Sequence, residues 1–241
     1  MIAEAGLQTL ARNVPGRSSR KRHWRRWILA GLGVLVVLVV LAAGAFIKLQ
    51  PTLSPLVLPT AGASAPAGPL AGTWDVAAGS VAGFRVQETA LGISNDTVGR
   101  THAVTGTIAV SGPNVTAAAF RIGLTAIKVG GKTQPQFATS LGTRQHPVAT
   151  FTLTQPVTLG SAFASGATIT ATATGQLTMR GISHLVTVTI SGRRNGSALQ
   201  VAGSIPIAFS DWGITGPKGY GFFGSLANHG VAEFLLVLHR H

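Results

Sequence analysis

The sequence predicts an all-β domain, an antiparallel β-barrel of about eight strands, preceded by one N-terminal transmembrane helix and a Pro-rich linker. Three observations point there. Runs of residues after Gly72 alternate apolar and polar side chains with period two. Turn signals such as Ser111-Gly112-Pro113-Asn114, Arg180-Gly181 and Arg193-Arg194-Asn195-Gly196 separate those runs. An uncharged stretch from Trp27 to Ile47 stands apart from the rest of the chain.

Composition narrows function before any motif is considered. Only 10% of the 241 residues are charged, too few for a disordered, solvating chain. There is no cysteine, so a disulfide scaffold, a Cys-ligated metal and a thiol nucleophile are excluded. A net charge of +13 and a pI near 11.9 invite a nucleic-acid reading, so the charge has to be located first. Seven basic residues against one acid, Glu4, lie before Trp27; eleven against five lie from Ala71 onward, and Lys48 is between. The excess in residues 1–26 is read as a basic cytoplasmic arm, with DNA binding as the sharper but less supported alternative.

The neighbouring segment gives the arm that meaning. Trp27–Ile47 is 21 residues without a charge, which at ~1.5 Å per residue matches a bilayer core of about 30 Å. It is longer than a signal-peptide core of roughly 7–15 residues, and an uncleaved anchor is the preferred reading. Ala42-Ala43-Gly44-Ala45 keeps cleavage open as the second. The Lys/Arg asymmetry puts the N-terminus in the cytoplasm and everything after Ile47 outside it, a single-pass protein of the cytoplasmic membrane. Residues 48–71 turn to Pro, Ala, Gly, Ser and Thr, with Pro51, Pro55, Pro59, Pro66 and Pro69. That composition reads as a semi-rigid spacer able to reach roughly 70 Å if fully extended.

Residues 72–241 form the barrel domain. Expected strands are 73–90, 98–110, 115–127, 147–154, 167–179, 182–191, 198–209 and 230–240. In 168–179, Ile169, Ala171, Ala173, Leu177 and Met179 share one face against a comb of Thr168, Thr170, Thr172 and Thr174. Leu199, Val201, Ile205, Ile207 and Phe209 repeat the pattern, as do Ile182, Val186, Val188 and Ile190. Closure into a barrel removes exposed strand edges. Gly131–Thr143 lacks alternation and is expected to hold a short helix or a loop across one end.

Catalytic and metal chemistry find little support. Gly219-Tyr220-Gly221-Phe222-Phe223-Gly224 spells a dinucleotide motif, but Pro217 precedes it, Asn228-His229-Gly230 follows it and no acid lies at the required distance. The histidines show no metal spacing, and His239 with His241 makes a weak pair. Ser210, His184 and Asp211 could be cast as a triad, yet no nucleophile elbow supports it; Asp211 is expected to satisfy backbone or an arginine. No metal, cofactor or nucleic acid is called for, and the chain is read as non-enzymatic.

Several stretches together resemble the YceI-like family of lipid- and polyisoprenoid-binding proteins. They are Gly72-Thr73-Trp74-Asp75-Val76 with Ser80-Val81-Ala82-Gly83-Phe84-Arg85-Val86; Val98-Gly99-Arg100-Thr101 with Val104-Thr105-Gly106-Thr107; and His146-Pro147-Val148-Ala149-Thr150-Phe151. Gly175-Gln176-Leu177-Thr178-Met179-Arg180-Gly181-Ile182 is the most specific, and Phe209-Ser210-Asp211-Trp212-Gly213 with His229-Gly230 and Glu233-Phe234 completes the set. The second stretch is similar to that of membrane-anchored actinobacterial-type members. The chain departs from the family where many members carry an Arg-Asp pair and this one has Thr133-Gln134-Pro135-Gln136-Phe137.

The resemblance implies a lipocalin-like barrel whose apolar tunnel holds an isoprenoid or another amphiphilic lipid, for carriage, storage or sensing. Strand parity and family position make Phe84, Phe120, Phe151, Leu177, Ile207 and Phe209 the tunnel candidates. The loop Gly213–Gly230 supplies entrance candidates in Lys218, Tyr220, Phe222, Phe223 and His229, one cation and one titratable ring among aromatics. From the residues alone the same inward side chains serve equally well as a dry core. The competing readings are therefore a cell-envelope interaction module without a lipid ligand and, third, a lipid-modifying enzyme.

Overall fold

Alternation of period two gives each strand one apolar side, and such sides bury each other best when the sheet curls until its first strand meets its last. A computed structural model shows that closure. It describes residues 53–60, 64–90, 92–216 and 224–241, together with Leu35 and Leu38. The chain divides into two units, Met1–Leu49 and Gln50–His241, and the second holds the sheet. Leu35 and Leu38 are helical and exposed. Among the described residues no helix is long and apolar enough to cross a membrane, and the arm and most of 27–47 lie outside them.

The strands are β1 (Gly72–Val76), β2 (Val81–Ala90), β3 (Ile93–Thr101), β4 (Val104–Ser111), β5 (Asn114–Gly123), β6 (Lys128–Val129), β7 (Val148–Leu153), β8 (Val157–Thr158), β9 (Ile169–Met179), β10 (Ile182–Asn195), β11 (Ala198–Ala208) and β12 (Gly224–Arg240). The path β1-β4-β5-β7-β9-β10-β11-β12 returns to β1, an eight-strand closed ring with antiparallel pairing throughout. β2, β3 and β6 continue the sheet from β12, whose last residues pair β1 and whose earlier residues pair β2.

Three of the expected strands are interrupted. The run 73–90 breaks between β1 and β2, where the buried Ser80 hydroxyl takes over ladder bonds by donating to the Val237 carbonyl (3.1 Å) and accepting the Val237 N–H (2.9 Å). The second strand begins at Ile93 rather than 98 and breaks between β3 and β4; the third ends in a 3₁₀ turn, Leu124–Ala126, before β6. The last strand starts at Gly224 instead of 230, with an irregularity between Leu226 and Gly230. Glycine permits the tightest crossing: a Cβ on Gly83 would strike the carbonyl oxygen of Gly99.

Two short helices close the ends. Helix α1 (Pro135–Leu141) falls in the segment without alternation, with Pro at its first turn and the left-handed Gly142 at its end. Helix α2 (Gly160–Ala164) has no counterpart among the expected elements; five residues carry too little periodicity to be read.

The Pro-rich segment is not a free spacer over its described length. Leu56 N–H donates to Glu233 Oε2 (2.9 Å), and the Leu53 and Ser54 carbonyls accept from Arg85 and Arg100. Further on, Ala67 N–H donates to the Gly196 carbonyl, and the Leu70 carbonyl accepts from Trp74 Nε1 (2.9 Å). Proline composition sets stiffness; docking onto the barrel is decided by partners far away in sequence.

Candidate functional site

The inward parity positions do not all meet one another. They surround a cavity of about 230 Å³ whose wall is almost entirely apolar. Its lining reaches from Phe163, Leu199 and Leu238 at one end to Phe209, Ile214 and Leu226 at the other. The first end is a sealed floor: Phe163 of α2, Leu199 and Leu238 are 2%, 1% and 0% exposed. The second end is the mouth, where Phe84, Phe209, Ile214 and Leu226 stay half-buried. The closed, dry core does not describe this barrel. At about 230 Å³ the space is slimmer than the roughly 300–1,000 Å³ of drug-sized pockets, a form that suits a narrow chain.

All six tunnel candidates, Phe84, Phe120, Phe151, Leu177, Ile207 and Phe209, stand on the cavity wall. Phe120 and Phe151 stack across β5 and β7 with centroids 6.5 Å apart. Gly175 on β9 leaves room for the Phe151 ring, which a Cβ there would strike. Sequence reasoning missed Phe137, Phe163 and Phe234, which also line the cavity. The first two ride on the short helices, and Phe234 has the right parity on β12 but was not singled out.

Of the entrance candidates, Lys218, Tyr220, Phe222 and Phe223 lie outside the described residues. His229 is exposed and its Nδ1 lies 3.0 Å from Asn228 Oδ1; it is not on the cavity wall, being one residue out of phase with Gly230, which is. The supposed triad is not assembled. His184 Nε2 lies 2.9 Å from the main-chain oxygen of Asp211, and the Asp211 carboxylate accepts instead from Ser210 Oγ (3.1 Å). Among the described residues no group of His, Asp and Glu could hold a metal ion.

A cluster of paired charges joins β2, β3 and β12. Glu233 has its side chain 3% exposed and accepts from Arg85 Nε (2.7 Å) and Arg100 Nη2 (2.8 Å), while Arg85 also reaches Asp96 (3.0 Å). Burial works to lower the Arg85 pKa, but the hydrogen bonds and charges of Asp96 and Glu233 outweigh it and leave a net rise. For Arg100 burial prevails: Glu233 opposes the fall, Arg85 adds to it, and the pKa is lowered. Both guanidiniums stay charged at any physiological pH. Leu53, Ser54 and Leu56 bond to this cluster from the linker, so it is a dock for the chain's own segment.

Comparison with known proteins adds a family and a fold. Residues 74–232 match the family model of the YceI-like domain. No curated protein matches the chain. Among solved structures it is similar to one described as a polyisoprenoid binding domain from Saccharophagus degradans implicated in plant cell wall breakdown. That likeness has 16% identity, covers 71% of this chain and 99% of that one, and has a TM-score of 0.55. BcnA of Burkholderia cenocepacia is similar at 19% identity over 64% of this chain and 95% of that one, with a TM-score of 0.48.

Proposed function

The chain belongs to the YceI-like domain family, and from that premise we propose that its barrel encloses the tail of an isoprenoid or similar amphiphilic lipid without acting on it chemically. The observation that carries this reading is the cavity itself, about 230 Å³ of space bordered by apolar side chains from floor to mouth. Each methylene withdrawn from water into such a space contributes about 0.8 kcal/mol. The sealed floor and half-open mouth favour a tail inserted first, with the polar head left at the rim. The name of the Saccharophagus degradans domain supports the same ligand class.

We further propose that the protein is a membrane-anchored member of the family, held by Trp27–Ile47 with its N-terminus in the cytoplasm and its barrel outside. The uncharged span and the basic flank before it support this. A reporter fused after His241 is expected to be active only outside the cytoplasm, and the mature protein to retain Trp27–Ile47. Cytoplasmic activity, or a mature N-terminus near Ala45, would overturn the anchor. For the ligand, organic extraction of the purified full chain followed by mass spectrometry is expected to return an isoprenoid-type lipid. An extract without lipid, together with no retention of an added farnesyl probe, would overturn the binding reading.

A further inference from the structure

One arginine joins the two elements that border the mouth. The β9–β10 turn is Arg180-Gly181, with φ of 53° and 77° at the two positions. Two-residue hairpins of this kind favour Asn-Gly or Gly-Gly, because both residues must adopt positive φ. Arg180 is the only described residue other than glycine with positive φ. Its backbone therefore sits where glycine would sit with less strain, and the side chain must account for its presence.

That side chain spans the rim. Arg180 Nη1 donates to the Ser140 carbonyl (2.6 Å), in the last turn of α1, and Nε donates to the Trp212 carbonyl (3.1 Å), at the end of the 3₁₀ turn Phe209–Trp212. Helix α1 presents Phe137 and Leu141 to the cavity, and the 3₁₀ turn presents Phe209. Gly142, which ends α1, leaves room for the guanidinium: a Cβ there would stand 2.7 Å from Nη1. A cation at a helix C-terminus also meets the negative end of its dipole.

Helix α1 has few other ties. It is seven residues long, its N-cap Gln134 makes no side-chain capping bond, and it has no acid in its first turn and no base in its last. Helices that short do not hold themselves in water. Its apolar anchors are Phe137, 8% exposed and packed on Phe84 with centroids 5.6 Å apart, and the half-buried Leu141, packed on the core. A ligand tail that moves Phe84 would loosen the first of these and leave more of the hold to the guanidinium.

We propose that Arg180 is a positioning residue, a latch that ties α1 to the Phe209–Trp212 turn and so sets how fast a lipid tail passes the mouth. The inference rests on the lipid reading for its consequence but not for its geometry, and the two can be tested apart. Because the chain has no cysteine, Ala138→Cys with Ser210→Cys places two spin labels across the rim without background. In the full chain reconstituted in nanodiscs, Arg180→Gly relieves the left-handed backbone, which offsets part of the cost of the lost bonds, and the barrel is expected to stay folded. The substitution is expected to broaden the label distance distribution and to release a dansyl-farnesyl probe about tenfold faster, the scale of one lost hydrogen bond to a charged group. Arg180→Lys, which keeps the charge but cannot fork to both carbonyls, should fall between. A distance distribution unchanged in Arg180→Gly would overturn the latch. So would a release rate equal to wild type. Failure of the wild-type chain to bind the probe would overturn the lipid reading, while the label distances alone would still decide the latch.

Discussion

The two ends of the barrel are built from the same alternating strands and solve opposite problems. At the floor, Trp74, Phe163, Leu199 and Leu238 are each 2% exposed or less, and helix α2 lies across them. The linker adds a second cover: Arg194 Nη2 donates to the Ala67 and Gly68 carbonyls, both at 2.9 Å, and Nη1 to the α2 carbonyl of Ala164 (3.4 Å). At the mouth the wall residues are half-buried, and the spanning contacts are a ring pair, Phe84 with Phe137, and the two bonds of Arg180. Apolar burial is non-directional and scales with area, so it seals an end well. A few directional bonds can hold an end that has to open. The difference teaches that stability and access are separated along one axis of one sheet.

The largest expected effect tests that separation directly. Leu238→Ala, at a side chain with 0% exposure, should cost about 4 kcal/mol in urea unfolding. Phe84→Ala at the mouth removes a larger group, yet should cost only about 1–2 kcal/mol because part of the ring already faces open space. Equal losses would break the comparison. Next in size is the linker. A chain beginning at Gly72 instead of Leu53 strips Arg194 of the Ala67 and Gly68 carbonyls and Glu233 of Leu56. A loss of about 2–3 kcal/mol is expected, read from the denaturation midpoint; an unchanged midpoint would return the segment to being a spacer.

Smaller effects on folding sharpen the comparison through ligand retention. Leu177→Trp or Ile207→Trp fills the half of the cavity nearer the mouth. Overpacking of this kind costs roughly 1–3 kcal/mol in a filled core, and the low end is expected here because the ring has space to enter. Lipid recovered by extraction should fall sharply; full retention in a folded variant would take those side chains off the ligand path. The smallest effect is the control. Leu185, 68% exposed on the outer wall, should change to Ser within about 0.5 kcal/mol and leave retention unaltered.

Much of this was legible in the chain because a strand's side chains alternate strictly. Parity alone put Leu177 and Met179 on one face of β9 and Leu199, Ile205 and Ile207 on one face of β11, and each of those five residues is buried. Parity together with family position picked six tunnel candidates, and all six stand on the cavity wall. The readable content stops where periodicity stops. Phe137 and Phe163 sit on helices of seven and five residues, too short to show a pattern. His229 has the right chemistry for an entrance loop, but the strand already begins at Gly224, and His229 falls out of phase with the wall.

What the sequence by itself determined is the class of fold, the apolar character of its interior and the division into basic arm, uncharged span, Pro-rich segment and barrel, since these depend on composition and on contacts between near neighbours. Only the tertiary structure decided that the interior is hollow, that the linker is docked and that Arg180 reaches across the mouth. Glu233 and Leu56 are 177 residues apart, and Arg180 and Ser140 are 40 apart. A cavity is a property of how eight strands close together, set by tilt and register around the whole ring, and no single strand carries a record of it.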